Sequence, residues 1–74
     1  MDTFSPEFLT WDDSYPIARR LLALYPHVQL EGVSLMDLYR WTIALPEFAD
    51  DPELVNESIL LSILQEWFEE ANPL

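Results

Sequence analysis

The sequence predicts a mainly α, compact three-helix domain. Three observations carry this: three runs of apolar residues at helical spacing, a single glycine among 74 residues, and six prolines placed mostly where a helix would begin or end. One glycine leaves little means of building tight hairpins. With 50% hydrophobic residues, three Trp, three Tyr and four Phe, the chain is too apolar to stay disordered. A chain this short buries only about 60% of its unfolded surface on folding, which leaves no room for a deep active-site cavity.

Residues 1–10 read as an N-terminal extension and 11–74 as the helical domain. The extension mixes Ser, Pro and Phe without a period, and Phe4, Phe8 and Leu9 are its candidates for packing onto the domain. The first helix is expected to start near Asp12-Asp13-Ser14, three N-cap candidates, with Pro16 in the first turn where its missing N–H costs nothing. Ile17, Leu21, Leu24 and Tyr25 then form its inner stripe, Arg19 and Arg20 lie on the remaining face, and Pro26 stops it. Residues 28–33 have room for one very short strand pair.

The second helix follows Ser34, whose partner Asp37 three residues on makes a variant capping box. Leu35, Leu38, Trp41, Thr42 and Leu45 are its inner stripe, and Pro46 ends it. Asn56 caps the third helix, where Ile59, Leu60, Ile63, Leu64, Trp67, Phe68 and Ala71 form a wide apolar face. Trp41 and Trp67 fall on core stripes. Trp11, just ahead of the first cap, is left open between a core position, a staple of the helix start and a partly exposed ring.

Charge is the second signal. Fourteen Asp and Glu stand against three Arg and no Lys, a formal charge of −11. Residues 1–40 hold six acids and all three Arg, whereas residues 41–74 hold eight acids and no base. Nucleic acid and anionic membranes are polyanions, so both are excluded as partners held by backbone electrostatics. A basic protein or a cation is the complementary partner. No cysteine is present, which removes disulfides, thiolate metal sites and thiol nucleophiles. No apolar run approaches the roughly 18 residues a bilayer span needs, and the opening Met1–Pro6 has no basic leader, so a cytoplasmic monomer is expected.

The acids form a loop set, Glu47, Asp50, Asp51, Glu53 and Glu57, and a helix-end set, Glu66, Glu69 and Glu70. Glu69 and Glu70 sit at the negative end of their helix, where carboxylates are disfavoured by ~0.3–1 kcal/mol each, a placement against local stability that points to a partner. Carboxylate oxygens suit hard cations, but neither set has calcium-loop spacing, so only weak binding is expected and no tightly held cofactor. His27 lacks a second His or any Cys with which to form a triad or metal set, and no serine has a nucleophile-elbow context. The chain is not expected to be an enzyme. Charge alone is equally consistent with an acidic interaction module, or a nucleic-acid mimic, acting on some other basic protein.

The ordered set Trp11-Asp12-Asp13-Ser14, Ile17, Tyr25-Pro26, Asp37-Leu38-x-x-Trp41, Glu47-Phe48, Asp50-Asp51-Pro52, Asn56-Glu57 and Trp67-x-Glu69-Glu70-Ala71 resembles the IscX family of bacterial iron–sulphur cluster assembly proteins. The resemblance runs from Trp11 to about Asn72. It implies a modified winged-helix topology that has lost DNA binding, an adaptor or regulator docking on a basic patch of the cysteine desulfurase IscS, and weak iron binding by surface carboxylates. Carried over by position, Asp37, Glu47, Asp50, Asp51, Glu57, Glu69 and Glu70, joined by Glu66 from the helix-end set, are the expected partner contacts. Asp50, Asp51, Glu57, Glu69 and Glu70 are the expected weak iron ligands. Reversing charge at Asp50 and Asp51 is expected to spare the fold. The chain departs from the family at Arg19, Arg20, Ala23, His27 and Gln29, where relatives carry acids, and at Ala49, where some have a third aspartate.

Overall fold

A computed structural model describes residues 8–72. The elements are α1 (Ser14–Leu24), a 3₁₀ turn (Leu30–Gly32), α2 (Leu35–Ile43) and α3 (Glu57–Ala71). The mainly α three-helix reading holds. α1 packs chiefly on α3, and α2 closes the remaining side.

The core draws on every element: Leu9 and Trp11 before α1, Ile17, Ala18 and Leu21 from α1, Leu30, Leu38 and Leu45 around α2, and Leu60, Ile63 and Trp67 from α3. These lie at the expected helical intervals. The stripes are narrower than expected, however. Leu24 is 49% exposed and Phe68 46%, and Ala71 also faces solvent. Phe68 follows Trp67, and one residue turns a helix by about 100°, so with Trp67 inward Phe68 must point out.

α2 and α3 begin where local chemistry dictates. Ser34 Oγ accepts from the Asp37 amide at 3.0 Å while Asp37 Oδ2 accepts from the Ser34 amide at 3.4 Å, a reciprocal capping box. Asn56 Oδ1 accepts from the Ile59 amide at 2.9 Å. α2 stops at Ile43, since the residue before Pro46 is driven out of helical conformation. Inside it, the buried Thr42 hydroxyl donates to the Leu38 carbonyl at 2.8 Å.

α1 starts where expected, but without a side-chain cap from Asp13, which occupies its N-cap. The Asp13 carboxylate turns back to accept from the Thr10 amide at 2.9 Å and the Thr10 hydroxyl at 3.2 Å, closing the turn that delivers Trp11.

The strand pair expected at residues 28–33 is corrected: that segment contains the 3₁₀ turn, and the Gly32 and Val33 amides donate back to Gln29 and Leu30. Among the described residues, β pairing is one parallel bridge between Leu9 and Phe48. The Leu9 amide donates to Glu47 O at 2.8 Å and the Ala49 amide to Leu9 O at 2.9 Å. Leu9 is fully buried, while Phe8 is 66% exposed, so of the two only Leu9 anchors the N-terminal segment. Phe4 lies outside the described residues.

Candidate functional site

The acidic loop between α2 and α3 is tied to the N-terminal segment by Trp11. Trp11 is buried, with its indole Nε1–H donating to the Asp51 carbonyl at 2.8 Å and its backbone amide donating to Asp50 Oδ2 at 3.0 Å. The ring stacks on Tyr39 (centroids 6.1 Å, planes 9° apart) and meets the edge of Phe48 at 4.8 Å. Of the three readings left open for Trp11, the core position is the one that holds. A stitch of this kind joins residues far apart in the chain, so local capping patterns do not reveal it.

Both loop aspartates are engaged in holding backbone. Asp50 Oδ1 accepts from the Asp51 amide at 2.7 Å, and Asp51 Oδ1 accepts from the Glu53 amide at 3.0 Å. Such aspartate turns fix loops. Asp50 thus serves two amides, Trp11 and Asp51, and replacing both aspartates by lysine removes every one of these acceptors. The expectation that this double charge reversal spares the fold took no account of these hydrogen bonds.

The three arginines sort the remaining acids. Arg20 on α1 pairs with Glu47 at 3.1 Å, Arg19 lies 3.9 Å from Glu70, and Arg40 pairs with Asp37 at 2.9 Å. Arg19 also donates to the Tyr15 hydroxyl at 3.2 Å and lies over that ring. Arg20 and Glu47 approach on one prong: Nε of Arg20 and Oε1 of Glu47 are buried without a hydrogen-bond partner. Two hydrogen bonds from Ser34, the backbone amide foremost, together with Arg40 hold the Asp37 carboxyl below its ordinary value. Three of the eight expected contact residues, Asp37, Glu47 and Glu70, are therefore already in ion pairs.

The others lie on or beside α3. Glu57 is exposed in its first turn, Glu66 is half-buried, and Glu69 is exposed with Gln65 donating to it at 3.4 Å. Glu57 and Glu69 are twelve residues apart on one helix, about 18 Å at 1.5 Å per residue. Of the five expected iron ligands, Glu57 therefore lies at one end of α3, Glu69 and Glu70 at the other, and Asp50 and Asp51 in the loop before it. Among the described residues, no three Asp, Glu or His side chains converge as a metal ion needs. With Asp50 and Asp51 occupied by amides, the residues do not fit a closed metal site.

His27 is exposed, as expected of a linker residue. None of the described helices is long and apolar enough to cross a membrane. The Thr10-x-x-Asp13 turn was missed at the sequence level; the signal for it is an aspartate that can accept from the threonine three residues before it and so close a turn ahead of the helix.

A family model described as iron–sulphur cluster assembly matches residues 9–72, almost the whole described domain. Among curated proteins, an uncharacterised protein of Pseudomonas aeruginosa is 42% identical over 64 residues, which cover 86% of this chain and 97% of that protein.

Proposed function

The chain belongs to the iron–sulphur cluster assembly family, the IscX family, and on that premise we propose that it is a non-enzymatic adaptor that docks on a basic surface of a cysteine desulfurase. The observation that carries this reading is the distribution of charge. All three arginines lie beside acids of the chain itself, so the −11 net charge rests on the eleven other acids, Glu57, Glu66 and Glu69 of α3 among them. A surface of one sign steers an oppositely charged partner and raises the association rate by ~10–10³ at low salt, an advantage that fades as the Debye length shrinks to about 8 Å at 0.15 M.

Glu66 and Glu69 are the principal contacts in this reading, with Glu57 and Glu53 at the other end of α3. Asp50 and Asp51 act indirectly by holding the loop that presents Glu53. Iron is at most a weak, dispersed ligand of these carboxylates, because no set of them surrounds one point. Calorimetric titration of the chain into a purified cysteine desulfurase at low and at high salt tests the reading. Affinity that falls steeply with salt, and falls again in Glu66→Gln/Glu69→Gln, is expected. No binding, or binding indifferent to salt, refutes it.

A further inference from the structure

A second surface carries information that charge does not. Leu35, Met36 and Tyr39 of α2 face Pro52, Val55 and Leu60 across an open groove of about 650 Å³. Tyr39 is stacked on the buried Trp11, so the floor is backed by the core and preformed. Met36 is 58% exposed. The two charged residues lining the groove, Glu53 and Glu57, are both acids.

The apolar surface does not stop at the groove. Leu61, Leu64 and Phe68 follow Glu57 at i+4, i+7 and i+11, which places them along the same flank of α3. Leu61 is 47% and Phe68 46% exposed. From Glu57 to Phe68 this flank runs about 16 Å, three helical turns. It carries Leu61, Leu64 and Phe68 between Glu57 at one end and Glu69 at the other.

We propose that this groove and flank receive an amphipathic helical segment of a partner protein, with its apolar residues along Met36, Leu61 and Phe68 and its Lys or Arg residues against Glu53 and Glu57. Charge complementarity selects this occupant: a second copy of this chain would bring further acids to Glu53 and Glu57. The inference rests on the adaptor reading above in taking the partner to be the same basic protein. It adds that docking has an apolar component that salt does not screen.

The test uses two synthetic peptides of roughly 14 residues and identical Leu and Lys composition, one with Leu on a single helical face and one scrambled. In an ¹⁵N-resolved NMR titration of the full chain, the amphipathic peptide is expected to give saturable shifts at Leu35, Met36, Tyr39, Val55 and Leu64. The scrambled one should give only diffuse changes at the acids. Met36→Gln/Leu61→Gln, both exposed helix positions that tolerate Gln, should weaken the amphipathic peptide about tenfold or more and leave the scrambled response unchanged. Unchanged resonances of Ile17 and Ile63 verify that the variant is folded. The same pattern for both peptides, shifts away from the groove, or equal affinity in the variant overturns the inference. So do groove shifts that depend on the concentration of the free chain, which assign the groove to a second copy, or contacts there from residues 1–7. Desulfurase binding that survives Met36→Gln/Leu61→Gln unchanged also overturns it. A desulfurase that does not bind the wild type refutes the adaptor reading and leaves the peptide result standing.

Discussion

Trp11→Phe is the most informative single substitution, because phenylalanine keeps an aromatic ring beside Tyr39 and Phe48 and the backbone amide that donates to Asp50, while deleting the indole N–H. The lost bond, 2.8 Å to the Asp51 carbonyl, leaves an acceptor in a partly buried loop without its donor. Such a deletion costs about 1–2 kcal/mol. The smaller ring removes roughly 40 Å² of buried apolar surface, about 1 kcal/mol, before any cavity is counted. The sum is about 2–3 kcal/mol in a domain whose total stability is of order 5–15. For a chain of this length it should lower the melting temperature by roughly 10–20 °C. Urea denaturation followed by far-ultraviolet circular dichroism measures the loss, and the Asp51 and Glu53 amide resonances report the loop directly. Asp50→Ala is the companion, since it removes two acceptors and leaves the indole in place. A Trp11→Phe protein within about 0.5 kcal/mol of wild type, with unmoved loop resonances, would refute the stitch as a determinant of the loop.

Three further outcomes are expected. Asn56→Ala should cost about 1 kcal/mol by removing the α3 cap, read as a shift of the urea midpoint without a change of slope. Because the Asp37 carboxyl is held below its ordinary 3.8, its contribution to stability is present above that value and is lost as pH falls through the folded one. Melting temperatures recorded during acidification below 3.8 should therefore drop more steeply for wild type than for Asp37→Asn, and parallel curves would contradict the assignment. Titration with Fe²⁺ should broaden resonances around Glu66 and Glu69 independently of those around Glu57. One saturable event broadening Asp50, Asp51, Glu57, Glu69 and Glu70 together would show that the carboxylates converge after all.

The features legible in the sequence were those encoded within a few residues. Ser34 with Asp37, and Asn56 ahead of an apolar run, mark helix starts by chemistry that operates over one turn, and both caps form. The inward positions Ile17, Leu21, Leu38, Leu60, Ile63 and Trp67 follow from the helical period. Phe68 and Leu24 were misplaced because a three-helix domain of this size buries a narrow stripe on each helix, and the pattern does not say how wide. The roles of the acids were least legible. Arg19 and Arg20 are adjacent, yet one lies beside Glu70 of α3 and the other pairs with Glu47 of the loop, because α1 runs between these two elements. Pairing of that kind depends on tertiary placement, and it divided a charge cluster that looks uniform in sequence into ion pairs, turn-forming carboxylates and presented ones. The family resemblance named the class of partner but could not show which acids remain presented.

The Trp11 stitch also bears on the order in which the domain assembles. Its two hydrogen bonds join residues 39 and 40 positions apart in the chain. Bringing such distant segments together costs about 3 kcal/mol of chain entropy before any contact between them is rewarded. The helix caps and first turns close over three or four residues and carry no such cost. Residues 9–13 should therefore join a nucleus already formed by the helices, and the loop bearing Asp50 and Asp51 acquires its shape only at that late step. Amides of the bridge, Leu9 and Ala49, are then the place to watch in pulse-labelled refolding: their protection should lag that of Leu38 and Ile63.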